Sequence, residues 1–223
     1  MDTVLYAIGF DRTSGASMRA VYVDGLANVL TQLPPPKRFI YISSSSVYGQ
    51  TDGGWVDETS PTAPAEPSGQ IVLEAEGQLA ACGVASSAAI ILRFAGIYGP
   101  GRLLRRQTIE KGESIVGDAD KWLNLIHVED GARVVLAAEQ HAEAGRIYNV
   151  CDDHPVRRRY FYAALARALG APEPRFVAPP LDAPTPPHEQ ANRRINNRRM
   201  KVELHAELRY PDYDQGLRAS GGS

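Results

Sequence analysis

Arg38-Phe39-Ile40-Tyr41-Ile42-Ser43-Ser44-Ser45-Ser46-Val47-Tyr48-Gly49 joins an apolar run of strand length to a run of serines. A basic residue leads in, and aromatic and β-branched residues then follow without a polar break. A strand covered on both faces reads this way, so Arg38 to Ser43 is expected to be a buried strand of a parallel sheet. Ligands of open α/β sheets bind beyond the carboxyl ends of the strands, and the serines stand at such an end. Taken alone, Ser44 to Ser46 admit two readings: turn and cap residues, or hydroxyls that meet a ligand.

Working outward, Val4 to Ile8 is a second apolar run that ends on Gly9 and is expected to be a buried strand. Ala16, Ala20, Val23, Ala27 and Leu30 recur at helical spacing between the two runs, with Ser14 or Ser17 as the cap and Pro34-Pro35-Pro36 as the stop. The unit is β-α-β, and a right-handed crossover is the common way to build it. Residues 50–67 read as a surface loop. Ser68 is the expected cap of a helix with Val72, Ala75, Leu79 and Cys82 on its apolar face, followed by a strand from Ala88 to Phe94. Leu123 to His127 is expected to be a short strand that enters a helix with Val128, Ala132, Val135 and Leu136 inward. His127 at its start is read as structural rather than as a base. Ile147 to Val150 is the last core strand. A helix after Pro155 carries Phe161, Leu165, Ala168 and Leu169 inward and stops at Gly170. Ala178 to Pro187 reads as a linker or lid.

With 223 residues, 43% hydrophobic, the chain has material for one domain and part of a second. A net charge of −2 gives no general attraction to nucleic acid or acidic membranes. The arginine clusters 157–159 and 193–199 lack interleaved aromatic residues, so nucleic acid is not an expected partner. Cys82 and Cys151 have no metal or redox spacing, which points to a reducing, cytoplasmic setting. No apolar run reaches membrane-spanning length.

The central stretch resembles the strand-five signature of the extended short-chain dehydrogenase/reductases, the NAD-dependent epimerase/dehydratase family. Asp2 to Gly9 resembles that family's strand four. Leu92-Arg93-Phe94-Ala95-Gly96-Ile97-Tyr98-Gly99-Pro100-Gly101 resembles its "LR…YGPG" stretch, Ile126-His127-Val128-Glu129-Asp130 its "IHVDD" and Tyr148-Asn149-Val150 its "YNV". Asn192 to Asn197, followed by Tyr210-Pro211, resembles an atypical branch. The resemblance implies an α/β, Rossmann-like doubly wound parallel sheet over residues 1–150 and a small C-terminal substrate-side lobe over 151–223. It implies NAD or NADP as cofactor and a small-molecule substrate such as a sugar or nucleotide-sugar, with an oligomer as one assembly. Ser44 falls on the family's catalytic serine. Together with the crevice rule, the match places the cofactor surface at Ala7, Ile8, Gly9, Ser44 and Ala95.

The chain departs from that family in three respects. A tyrosine is a poor base at neutral pH, and the family lowers its pKa with a lysine one helical turn away. Here those two positions fall on Ser68 and Val72, and the family's asparagine falls on Tyr22. Tyr48, Tyr22 or a cofactor-ribose hydroxyl are the possible substitutes. The family's G-x-G-x-x-G turn, which cradles the pyrophosphate, does not occur. Where nucleotide-sugar enzymes carry an arginine before "IHV", this chain has Leu123 and Asn124. The expectation is therefore an NAD(P)-dependent oxidoreductase or epimerase/dehydratase-like protein with a degenerate catalytic set. The alternatives are a catalytically silent nucleotide-binding or regulatory protein, or an inactive gene fragment. The first strand corresponds to the family's fourth, so the sheet is expected to lack its first strands. The chain is then an N-terminally shortened form, poorly soluble unless a partner supplies strands.

Overall fold

A computed structural model describes residues 2–34, 36–82, 88–180 and 189–220. Its centre is a parallel sheet of β1 (Thr3–Tyr6), β2 (Arg38–Ser44), β3 (Ala89–Phe94) and β4 (Ile147–Val150), in that spatial order. Thr3 stands opposite Arg38, Phe39 opposite Ala89 and Ile91 opposite Ile147. The α/β class and parallel sheet expected from the sequence are present. β1 is shorter than expected and, at the edge of the sheet, only its Tyr6 is buried while Leu5 is exposed: pairing stops at Tyr6, and Ala7, Ile8 and Gly9 leave the sheet toward Tyr22, whose hydroxyl accepts the Phe10 N–H at 3.1 Å.

Alternation along β2 sends its side chains into two layers. Phe39 and Tyr41 join Tyr6, Val23, Leu26, Ala75 and Leu79 on one face. Ile40 joins Ile90, Leu92, Val134 and Ala138 on the other. The first face is covered by α1 (Gly25–Gln32) and α2 (Pro67–Ala81), the second by α3 (Val128–His141).

Three helix readings are corrected. A π turn, Ala20–Asp24, precedes α1, with the Gly25 N–H donating to the Ala20 carbonyl. Its extra residue rotates the register by about 100°. Ala16, which precedes the helix, and Ala20 are exposed, Val23 is buried as expected, and Leu26, outside the expected stripe, is fully buried beside it. The cap is Ser17, whose Oγ accepts the Ala20 N–H at 3.0 Å. The cap position of α2 is Glu66, two residues earlier than expected, so Ser68 lies inside the helix. Pro67 explains the shift, because its missing N–H and fixed φ suit the first helical position. α3 buries Gly131, Val134 and Ala138 and turns Val128, Ala132 and Leu136 outward. Gly131 sets that face, since a Cβ there would stand 2.7 Å from the Phe94 ring. Only a glycine lets the helix approach the sheet so closely.

Asn124 breaks the expected Leu123–His127 strand. Trp122–Leu123 pairs antiparallel with Val156–Arg157, and Leu125–His127 pairs parallel with Gly96–Tyr98. The 50–67 loop contains a short strand, Trp55–Val56, that pairs with Arg194–Ile195. A second core gathers Tyr98, Ile109, Ile115 and Leu125 against Phe161, Leu165 and Leu217. It draws on both sides of residue 150. In it, α4 (Arg158–Leu169) stops at Gly170 in the left-handed region, φ +63°, as expected, although Ala168 faces out. α5 (Tyr213–Ser220) closes this lobe. Of the Ala178–Pro187 reading, residues 181–187 lie outside the described residues. Among the described residues no helix is long and apolar enough to cross a membrane.

Candidate functional site

The carboxyl end of β2 runs directly into a 3-10 turn, Ser45–Val47, capped by Ser44. The Ser44 hydroxyl oxygen accepts the Ser46 N–H at 3.2 Å. That bond uses a lone pair and leaves the hydroxyl proton to be donated elsewhere. The cap reading of the serines thus holds at Ser44, which remains half-exposed. Ser43 points the other way. It is buried and donates to Glu76 at 2.5 Å.

Two cavities meet at Ser44. The larger, of about 590 Å³, opens where β1, β2 and β3 end. Ala7, Ile8, Gly9, Ser44 and Ala95 all stand in its wall, so the five residues expected at the cofactor surface are brought together. Tyr22 and Val72 line it too. The smaller, of about 280 Å³, lies beyond the serine run and is walled by Ser44–Ser46, Tyr48, Glu66 and Arg193, among others. Ser44, Phe94, Ala95 and Gly96 are common to the two.

Behind the serines a polar network is sealed from water. The Arg93 guanidinium, 4% exposed, donates to both Glu76 oxygens, at 3.0 and 2.7 Å, and to the Tyr48 hydroxyl at 3.0 Å. Tyr48 in turn donates to Asn149 at 2.8 Å. Burial pushes the Tyr48 pKa up, partly offset by Arg93 and Asn149. Tyr48 is therefore a fixed, protonated donor and not a base. Of the two phenols named as substitutes, only Tyr22 reaches the larger cavity.

Val72, 4% exposed, and Ser68, the residues that the resemblance sets at the family's lysine and tyrosine positions, both lie on α2. His127 is a structural residue. Its Nδ1 accepts the Glu129 N–H at 3.3 Å and caps α3, and Ser220 Oγ lies 3.3 Å from Nε2. Because Ser220 gives its own proton to the Gly216 carbonyl, Nε2 carries the imidazole proton. Burial lowers the His127 pKa and keeps the ring neutral.

The arginine clusters divide. Arg157 lies over the Trp122 ring at 4.0 Å, Arg158 pairs with Glu189 at 2.6 Å and Arg159 pairs with Asp120. Arg106 pairs with Glu110, whereas Arg102 lines the larger cavity. Arg194 lies between the Trp55 and Trp122 rings. Arg193 reaches the smaller cavity, a placement that no spacing in the sequence signals. It meets the Ser45 carbonyl across 148 residues.

Residues 12–151 match the NAD dependent epimerase/dehydratase family. The chain is 35% identical over 175 residues to Protein YeeZ of Escherichia coli K12, covering 78% of this chain and 59% of that protein. It thus spans about three fifths of the length of that curated relative. A conserved protein of unknown function from Silicibacter pomeroyi superposes with a TM-score of 0.78 at 34% identity, over 98% of this chain and 76% of that one. The dTDP-glucose 4,6-dehydratase of Bacillus anthracis, solved in complex with NAD, superposes with a TM-score of 0.79 at 19% identity, over 99% and 71%, and so shares the fold. On the sheet, the serine signature and these matches, the chain belongs to the NAD-dependent epimerase/dehydratase family of Rossmann-like proteins.

Proposed function

We propose that the chain binds the nicotinamide side of NAD or NADP in the larger cavity and receives a small-molecule substrate, a sugar or nucleotide-sugar, from the smaller one. The observation that carries this reading is the position of Ser44 in the wall of both cavities. The residues present suit the nicotinamide end of the cofactor. Small side chains (Ala7, Gly9, Ala95) line the strand ends, and a Cβ at Gly9 would meet no atom within 4 Å. They do not supply a pyrophosphate cradle, because the glycine-rich turn is absent from the sequence. When bound, the cofactor supplies a hydride acceptor or donor.

The chain's own residues polarise and orient. Ser44 donates its free proton to the substrate oxygen, an oxyanion-type role. Tyr22 accepts the Phe10 N–H and keeps its phenolic proton for the cavity, which makes it the second hydroxyl of the site. A second reading, a catalytically silent nucleotide-binding protein, is favoured by Val72. A buried valine offers neither charge nor proton where the family holds a lysine.

Titration with NADH and NADPH, followed by nicotinamide fluorescence, tests binding. Affinity is expected to be weak, because the phosphates lack their cradle. For turnover of any carbonyl or sugar substrate, Ser44→Ala is expected to lower kcat by about 10²-fold or more, and Ser46→Ala far less. Equal activity of wild type and Ser44→Ala removes the catalytic role, and NADH binding without turnover establishes the silent reading.

A further inference from the structure

Three arginines among the described residues are at least nine-tenths buried: Arg93, Arg158 and Arg193. Arg93 has Glu76 at 2.7 Å and Arg158 has Glu189 at 2.6 Å. Arg193, 9% exposed, has no carboxylate within ion-pairing distance among the described residues. Its Nη2 donates to the Ser45 carbonyl at 2.8 Å, and its buried Nε has no acceptor among the described residues. A buried charge without a counter-ion is costly, and buried donors are normally satisfied.

The backbone that carries it is nevertheless held firmly in place. Asn124 clamps the backbone on both sides, donating to the Arg193 carbonyl at 2.9 Å and accepting the Ile195 N–H at 2.7 Å. The short strand to Trp55–Val56 fixes the same segment. An arginine this constrained and this poorly matched within the chain is built to meet something from outside it. The rest of the cavity agrees. α2 begins at its edge, so the positive end of a fifteen-residue helix faces the same space. The Ser45 and Ser46 hydroxyls make no hydrogen bond to any described residue. Against these stands one carboxylate, Glu66, whose field partly offsets the lowering of the Arg193 pKa by burial.

We propose that the smaller cavity is an oxyanion subsite, in which Arg193 and the Ser45 and Ser46 hydroxyls hold a carboxylate or phosphoryl group of the substrate whose reacting carbon lies at Ser44. The side on which that carbon lies rests on the function proposed above, whereas anion binding itself does not need the cofactor. A planar guanidinium with a free Nε and a serine pair suits a group with several acceptor oxygens.

The test uses the full chain and three probes: inorganic phosphate, glucuronate and UDP. The Arg193 Nε–H resonance and the Ser45 and Ser46 amides are followed by nitrogen-15 NMR. All are expected to shift on titration, with phosphate and UDP stronger if the natural group is phosphoryl, and glucuronate stronger if it is a carboxylate. Arg193→Met keeps length and bulk and is expected to weaken binding at least tenfold. Glu66→Gln removes the opposing charge and is expected to tighten it severalfold, and it makes no side-chain cap bond to lose. Absence of any shift at Arg193 at tens of millimolar anion, or unchanged affinity in Arg193→Met, overturns the proposal. Should Arg193→Met fail to fold, Glu66→Gln decides, and an unchanged affinity there overturns it equally. NADH titrated separately distinguishes the two readings: anion binding without NADH binding keeps the subsite and removes the cofactor, and the converse removes the subsite alone.

Discussion

Asp152 shows how tertiary placement changes a residue that looks ordinary in sequence. It follows β4, is 2% exposed, and one of its carboxyl oxygens has no partner among the described residues. The other accepts the His154 N–H at 3.2 Å. Burial first, and then the fields of Asp153, Asp212 and Asp130, raise its pKa well above the usual 3.8. An acid whose pKa is raised on folding favours the folded state fully at low pH, and that contribution is lost as pH rises through the folded value. Asp152 is therefore a cost at neutral pH. Asp152→Asn keeps an acceptor for His154 and is expected to melt higher than wild type at pH 7. The two melting curves are expected to converge near pH 4. A pH-independent difference between them contradicts the assignment.

At the scale of an element, α3 carries the opposite dependence. Its cap is an imidazole, its first turn holds Glu129 and Asp130, and Asp130 accepts the N–H groups of Arg209 and Tyr210, both at 2.8 Å. The helix start thus fastens the C-terminal segment to the sheet layer. Protonating His127 would remove the lone pair that accepts the Glu129 N–H. Its folded pKa is lowered, so its contribution is present above the usual 6.5 and is lost as pH falls below it. His127→Ala is expected to cost about 1–2 kcal/mol, the usual worth of a helix cap. His127→Asn should recover part of that and abolish the loss of stability between pH 7.5 and pH 5.5 in denaturant titrations. The π turn before α1 belongs to this scale as well. Val23 is buried as helical spacing foresees, whereas Leu26 joins it from outside the expected stripe and Ala20 is exposed.

At the scale of the whole molecule, the outer edge of β1 has no strand partner among the described residues. Leu5 is 50% exposed, Ile8 47% and Val128 42%, and all three line the larger cavity. Apolar surface left in water costs ~25 cal/mol per Å², so this groove favours any apolar occupant. The native chain is expected to bind an apolar-surface dye at this groove, and saturating NADH is expected to displace most of it. Dye fluorescence that is absent, or unmoved by NADH while NADH binds, places the exposed surface and the cofactor apart.

The sequence by itself determined the sheet, because parallel strands buried on both faces must be continuous apolar runs, and Phe39–Ile42 and Ile90–Leu92 are such runs. It also determined where to look, since the serine run ends a strand and ligands gather beyond strand ends. Local chemistry made Gly170 legible as a helix stop and His127 as a helix-start residue. What only the tertiary structure decided are the features set by distant partners. Helix faces turned on a π insertion before α1 and on the Phe94 ring beneath Gly131. Tyr48 was withdrawn from chemistry by Arg93 and Asn149, and Tyr22 was left facing the cavity. Arg193 is one arginine of a basic cluster until the fold carries it to Ser45, gives it no carboxylate partner among the described residues and clamps its backbone with Asn124. Burial and charge balance are properties of the packed chain, and local spacing carries no record of them.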